Sequence, residues 1–212
     1  MGPAPTLRHS TLALAERDGQ RCAGPVLLGG FVFGLGVVEL SRRVLGNANH
    51  ESLDLLVLLV FQLFGPLLVS LLGMTLLLPR WLERAERFGP GAWRQSGPAA
   101  ALAGGLLLVM FFIAAVMGGL LLSPAGGLSN ALQDLLSGIQ LHRLLRSIVR
   151  SALFMGLVCI WCQRRGLREL KRGRSPALIV SNQLLEGLIL NLVLKLLWVL
   201  GLNALQGGGT GP

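Results

Sequence analysis

Four polar side chains interrupt the last long apolar run of the chain, and they are the first candidates for chemistry. They are Asn182, Glu186, Asn191 and Lys195, within residues 176–198. Residues four apart are neighbours on a helix, so Asn182 shares a face with Glu186, and Asn191 shares a face with Lys195. Glu186 and Lys195 are half a turn out of phase and cannot pair with each other. We therefore expect each polar edge to meet protein or water. The alternative for Lys195 is that its ammonium reaches the surface along its flexible stem.

The residue types that carry catalysis or hold metals form no recognisable arrangement in this sequence. There is no Walker A loop, no pair of carboxylates flanked by a base and no metal-ligand spacing, and the three histidines are scattered. Cys159 and Cys162 form a C-x-x-C inside an apolar run, where we expect two small side chains that pack between helices. We therefore expect no enzymatic activity, no cofactor and no metal site.

The composition is typical of a membrane protein. Of the 212 residues, 52% are hydrophobic and 14% are charged, and the mean hydropathy is +0.65. Long uncharged leucine-rich runs predict an all-α integral membrane protein. The formal net charge is +9, and the charges lie in short segments between the apolar runs, where they set orientation and contact lipid headgroups. No aromatic–basic cluster has the pattern of a nucleic-acid surface, so nucleic acid is not an expected partner.

The apolar runs predict about five transmembrane helices, since each crossing needs about 20 residues. The chain then divides into an N-terminal segment 1–21, a five-span domain 22–203 and a flexible tail 204–212. The N-terminal segment is expected to be an amphipathic helix on the membrane surface or a disordered tail. The expected spans are 22–40, 54–78, 98–122, a fourth that extends 151–163 back into 141–150, and 176–202. Four glycines of the first span predict a close contact with another helix: Gly29, Gly30, Gly34 and Gly36.

Lysine and arginine are distributed unevenly between the two sides of these spans. Thirteen of the nineteen lie in segments 1–25, 79–97 and 163–175, which a five-span topology puts on the same side. Five lie in the segments of the other side, and the remaining one is Lys195. Positively charged segments stay in the cytoplasm, so the sequence predicts a cytoplasmic N-terminus and a C-terminus outside.

Two charged segments on the predicted cytoplasmic side are candidates for contact with a partner. The first, PRWLERAERFG at 79–89, predicts a short helix in which Glu83 and Arg87 pair at i,i+4. It either docks on a soluble protein or lies in the membrane interface. The second, QRRGLRELKRGRS at 163–175, is expected to be a loop that contacts anionic lipid, with or without a protein partner. Its cations are Arg164, Arg165, Arg168, Lys171, Arg172 and Arg174.

Several short stretches follow the order of motifs in a known family. Residues 150–155 (RSALFM), then Gly166, then residues 175–184 with Ser181 match a K-S-x-x-F-G start of a fourth span, a Gly and a G-V-G-x-A-T-T-x-A-V-V start of a fifth. Residues 62–72 (QLFGPLLVSLL) match R-E-L-G-P-V-L-T-A-L-L, although Gln62 and the next leucine replace the Arg-Glu pair. On these motifs the chain, over about 55–200, resembles the MlaE-like permeases of bacterial ABC systems that move phospholipids.

The resemblance implies a permease subunit in the bacterial inner membrane, with a periplasmic C-terminus. Its expected partners are a separate ABC ATPase at 79–95 and 163–175, a second permease chain that makes a homodimer or a pair of similar chains, an MCE-domain lipid-binding protein, and membrane lipids. The polar residues that line the lipid pathway are expected to be Gln62, Asn182 and Glu186. The residues expected to couple to the ATPase are Arg80, Trp81, Glu83, Arg84 and Arg87.

The family's longer coupling segment, E-x-G-x-M followed by E-Q-x-D-A-L, is reduced in this chain to PRWLERAERFG. The alternative function is therefore a degenerate membrane scaffold that no longer transports lipid and anchors a soluble partner.

Overall fold

The computed structural model describes residues 7–45, 64–122 and 141–207, which are helical throughout apart from short turns. Each of the five long helices in these ranges contains a segment long and apolar enough to cross a membrane. The prediction of an all-α chain with five such helices is confirmed for this part of the sequence. The helices are α1 (Leu7–Leu45), α2 (Gly65–Phe88), α3 (Trp93–Leu122), α4 (Leu141–Lys171) and α5 (Pro176–Gly207), with a 3-10 turn at Gly89–Gly91.

Helix α1 begins well before the predicted first span. It is a single helix of 39 residues, so most of the N-terminal segment is neither a separate surface helix nor a disordered tail. Residues 12–17 are all good helix formers, and the helix continues through Gly19 and Pro25. Ala15, Asp18, Cys22 and Val26 are buried at helical spacing, so this part of α1 packs against the bundle.

Helix α2 also continues where the sequence predicted a separate cytoplasmic helix. Residues 79–88 are its C-terminal part, because the buried stripe of Leu78, Trp81, Leu82 and Ala85 runs on past Pro79. The helix stops before Gly89, whose φ of 68° is favourable only for glycine. The short turn that follows leads directly into α3.

Helices α1 and α3 approach each other very closely at two glycines. A Cβ atom on Gly30 would overlap the backbone carbonyl of Phe111, and one on Gly34 would overlap that of Ala115. Small residues four apart allow two helix backbones to come together in this way. The predicted close contact is confirmed for Gly30 and Gly34, whereas Gly36 faces open space.

Most of the predicted basic loop at 163–175 is helical. Helix α4 continues through Lys171, because Arg, Leu, Glu and Lys are good helix formers and the first strong break is Gly173, with φ of 73°. The loop proper is the turn from 172 to 175. Helix α5 likewise continues through Gly207, so the first four residues of the predicted flexible tail are helical.

Two contacts bring three segments to one end of the bundle. Arg84, near the end of α2, binds Asp18 of α1, and Arg164, near the end of α4, stacks on Trp93 at the start of α3. The first part of α1, the α2–α3 turn and the α4–α5 turn therefore lie together. We call this the basic end of the bundle, because its three segments together hold thirteen of the nineteen lysine and arginine residues.

Candidate functional site

The five residues expected to couple to an ATPase point in different directions. Trp81 is fully buried, and Arg84 is directed inward to Asp18. Arg80 is half-buried. Glu83 and Arg87 are exposed, beside Phe88, which is 74% exposed. Of the five, Glu83 and Arg87 are therefore the most accessible to a partner protein, and we call their surface the outer face of α2.

Asp18 and Arg84 form a buried two-pronged ion pair that the sequence analysis missed. Arg84 Nη1 donates to Asp18 Oδ2 at 2.7 Å, and Arg84 Nη2 donates to Oδ1. The side chains are only 1% and 15% exposed, so the pair is shielded from water and salt. Parallel hydrogen bonds of this type fix both distance and orientation, so the pair locks α1 onto the end of α2. The helical phase of Asp18, four residues before Cys22 and three after Ala15, is the sequence signal for its burial.

Glu186 is paired with an arginine that the sequence placed in a loop. Arg165 Nη2 lies 2.7 Å from Glu186 Oε1, across the α4–α5 contact, and Arg165 Nε lies 3.8 Å from Glu169. Because α4 continues past Arg165, this arginine lies on a helix that packs against α5, where its guanidinium reaches Glu186. The second oxygen of Glu186 is buried and accepts no hydrogen bond within the described part of the chain. Asn182, which was expected to share a partner with Glu186, is exposed.

Three buried side chains near this ion pair form what we call the amide cluster: Gln163, Gln183 and Trp81. Gln163 Nε2 donates to the backbone oxygen of Trp81 at 3.1 Å. Gln163 Oε1, both polar atoms of Gln183 and Trp81 Nε1 have no hydrogen-bond partner among the described residues. Gly166 lets the helices close around the cluster, since a Cβ there would overlap Leu82 and the amide of Gln183. Side chains with this many unused hydrogen-bonding atoms are suited to hold water or a polar group of a ligand.

The buried edge of α5 differs from the one expected. Ile179, Gln183, Gly187 and Asn191 face the bundle at intervals of four residues. Most large apolar side chains of the helix point away from it, such as Leu185 and Leu196. Asn191 was predicted to meet protein, and it is buried. Gln183 was not among the predicted site residues, although its phase with Ile179 indicates the buried edge.

A cavity of about 290 Å³ opens at the basic end between the last turns of α2 and α4 and the start of α3. Three of the six predicted loop cations line it, namely Arg164, Arg168 and Lys171. The Arg164 guanidinium carbon lies 4.4 Å from the centre of the Trp93 ring. The other lining residues are Ala85, Gly89, Ala92, Gln163 and Leu167.

The remaining cations of the predicted loop lie outside this cavity. Arg165 binds Glu186, and Arg174 lies 3.6 Å from Glu169. Arg172 is exposed in the turn.

Gln62, the third residue expected in the lipid pathway, lies outside the described residues. Across the ranges that are described, no group of three His, Cys, Asp or Glu side chains is arranged to hold a metal ion. Cys159 and Cys162 are buried free thiols, and Cys159 Sγ contacts the backbone oxygen of Ser96 at 3.6 Å. No protein-family model matches the chain, and no curated protein matches it.

Proposed function

We propose that this chain is the membrane-spanning permease subunit of a bacterial ABC transporter that moves phospholipid or a related lipid across the cell envelope. ATP hydrolysis takes place in a separate subunit bound at the basic end, which faces the cytoplasm. A second permease chain completes the lipid pathway, and an MCE-domain protein passes lipid to or from it in the periplasm. The motif resemblance over 55–200 and the five helices long enough to span a membrane support this proposal.

The observation that carries the proposal is the polar site formed by the Arg165–Glu186 pair and the amide cluster among apolar helices. Each buried polar group without a partner costs about 1–3 kcal/mol of folding free energy. A scaffold that only anchors another protein gains nothing from buried polar groups that lack partners. A lipid transporter can use such groups, because the headgroup of its substrate needs polar contacts on its way through the bundle.

The same site suggests how transport is coupled to the ATPase. The buried edge of α5, which includes Gln183, covers the amide cluster. The Arg165–Glu186 ion pair joins α5 to α4 beside it. Closure of the ATPases moves the end of α2, with Trp81 in the cluster, relative to α4 and α5. The Arg165–Glu186 pair then opens, and the amides and Glu186 are exposed alternately to the two sides of the membrane.

The test is ATP-dependent lipid movement in proteoliposomes that contain the chain and the ATPase recovered with it in mild detergent. Glu186→Gln and Gln183→Leu should reduce movement of a fluorescent phospholipid by roughly tenfold, which is the effect of losing one hydrogen bond to a charged group. The matched control is Glu39→Gln, which removes the carboxylate of an exposed Glu39–Arg43 pair at 2.9 Å on α1.

Three results are informative. Loss of transport in the two site variants but not in Glu39→Gln supports the proposed pathway. Equal transport in all variants places the pathway elsewhere. An ATPase or other soluble protein that binds the chain without any ATP-dependent lipid movement indicates the scaffold function instead.

A further inference from the structure

We propose that the cavity at the basic end binds a phosphate group, carried either by a phospholipid headgroup or by a soluble phosphate compound. This cavity lies beside the polar site between α4 and α5 and shares Gln163 with it. The proposal does not depend on the transport function, because it rests only on the cavity and its lining. The cavity has about 290 Å³ of space, enclosed by α2, the start of α3 and the end of α4.

The charge of the lining is entirely positive. Arg164, Arg168 and Lys171 fall at i, i+4 and i+7, so they share one face of α4 and project into the same space. None of the lining residues is acidic. Like charges at this spacing repel one another, and a bound dianion removes the repulsion of all three at once.

Two carboxylates near the cavity, on α4 and α5, are engaged with other cations. Glu169 contacts Arg165 and Arg174, and Glu186 contacts Arg165. Within the described part of the chain, Arg164, Arg168 and Lys171 form no ion pair. Their charges are therefore available to a ligand, while Arg165 and Arg174 of the same segment are engaged with carboxylates.

The lining is also organised to hold a compact oxyanion. Trp93 stacks on Arg164 at 4.4 Å, which restricts the guanidinium without using its hydrogen-bond donors. Two guanidinium groups can bind phosphate oxygens in pairs, and the Lys171 ammonium adds a point charge. Gln163, which is 1% exposed, also lines the cavity, and its Oε1 accepts no hydrogen bond from the described residues. A hydroxyl or ammonium group next to the phosphate can donate to this oxygen.

The position of the cavity makes it accessible both to lipid headgroups and to soluble phosphate compounds. The cavity lies where α2 and α4 end and α3 begins, which is the level of lipid headgroups if these helices cross a membrane. It is also at the end of the bundle that carries the exposed turns, where a soluble phosphate compound has access. The cavity, which is open on one side, has room for one headgroup or one small phosphate compound.

The experiment measures binding to the full-length chain in a non-ionic detergent, with two probes. The first is a short-chain phosphatidic acid, compared with phosphatidylcholine of the same chain length, and the second is inorganic phosphate. We expect phosphatidic acid to bind roughly tenfold more tightly than phosphatidylcholine. The double variant R168Q/K171Q should lose about tenfold in affinity for the probe that binds.

The matched control is R172Q/R174Q, which removes the same charge from the same segment outside the cavity. It should change affinity by less than about threefold, since neither side chain lines the cavity and charges in water at a distance from a ligand are screened by salt. If R168Q/K171Q does not fold, the single variants R164Q and R168Q provide the same comparison, each with a smaller loss.

The outcomes separate the possibilities. Binding of phosphatidic acid that inorganic phosphate does not displace identifies a lipid headgroup site. Binding of inorganic phosphate alone identifies a site for a soluble compound. Equal losses in the cavity variant and its control reveal general attraction to a basic surface and overturn the proposal, as does a lack of binding by both probes.

Discussion

Arg165 and Glu186 join the last two helices through a 2.7 Å contact between Nη2 and Oε1. The arginine belongs to a segment rich in cations, and the glutamate belongs to an apolar helix that would otherwise carry an isolated negative charge. The pair connects α4 and α5 beside the amide cluster, so it is the direct link between the basic end and the polar interior. Both side chains are partly exposed, at 46% and 31%, which leaves the pair free to open.

Replacing Glu186 with leucine should have little effect on stability. The Arg165 side chain is half-exposed and can turn to Glu169 or to water, so the loss should not exceed about 1 kcal/mol. Thermal unfolding in detergent measures this directly. A large fall in unfolding temperature would show that the pair is a main support of the α4–α5 contact.

Replacing Asp18 with asparagine should be far more damaging. It leaves the mostly buried Arg84 guanidinium without its counter-charge, and breaking a buried pair in this way costs about 3–5 kcal/mol. The double variant D18L/R84M removes both charges and should recover most of the stability. Denaturant unfolding of the three proteins tests this, and a double variant no more stable than D18N would argue against a buried ion pair.

The close approach of α1 and α3 predicts opposite results at two neighbouring glycines. Gly34→Ala should destabilise the protein by about 1–3 kcal/mol, because the added methyl group overlaps the carbonyl of Ala115. Gly36→Ala is the control, since that position faces open space and alanine favours the helix. Unfolding temperatures of the two variants should therefore move in different directions.

The outer face of α2 can be tested as the proposed contact with an ATPase. The exchange E83K/R87E keeps net charge and reverses the pattern of two exposed side chains. It should weaken recovery of the ATPase with the chain while changing stability by less than about 1 kcal/mol. The exchange E39K/R43E on α1 is the matched control. Unchanged recovery in both variants would remove this face from the proposed contact.

The predicted topology is open to labelling with a membrane-impermeant thiol reagent. The native cysteines that the structure describes, Cys22, Cys159 and Cys162, are all buried, so new cysteines give a clear signal. Lys171→Cys should react only from the cytoplasm, and Gly207→Cys only from the periplasm. Labelling of both from one side would contradict a five-span chain.

The sequence was sufficient to predict the helices, because long apolar runs and paired glycines have direct physical meanings. It was not sufficient to predict where the helices end. The charged residues at 79–88 indicated a separate helix, but the buried stripe through Trp81 continues α2 to Phe88. The charged residues at 163–171 indicated a loop, but their helix propensity continues α4 to Lys171. The candidate site depended on that difference. Arg165 meets Glu186 only because α4 continues past it, and Asp18 meets Arg84 only because α1 and α2 are both longer than their apolar runs.

Helix α1 is attached to the rest of the bundle at two distant points, Asp18 at the end of α2 and Gly34 against α3. Their separation of sixteen residues along the helix is about 24 Å, and the whole helix of 39 residues spans about 58 Å, well beyond a hydrocarbon core of about 30 Å. Membrane helices usually adapt to bilayers of different thickness by changing tilt. A helix fixed at two points has lost that freedom. If these helices cross a membrane, hydrophobic mismatch must be absorbed by the surrounding lipid, and the rate of the proposed transport should depend on the acyl-chain length of that membrane.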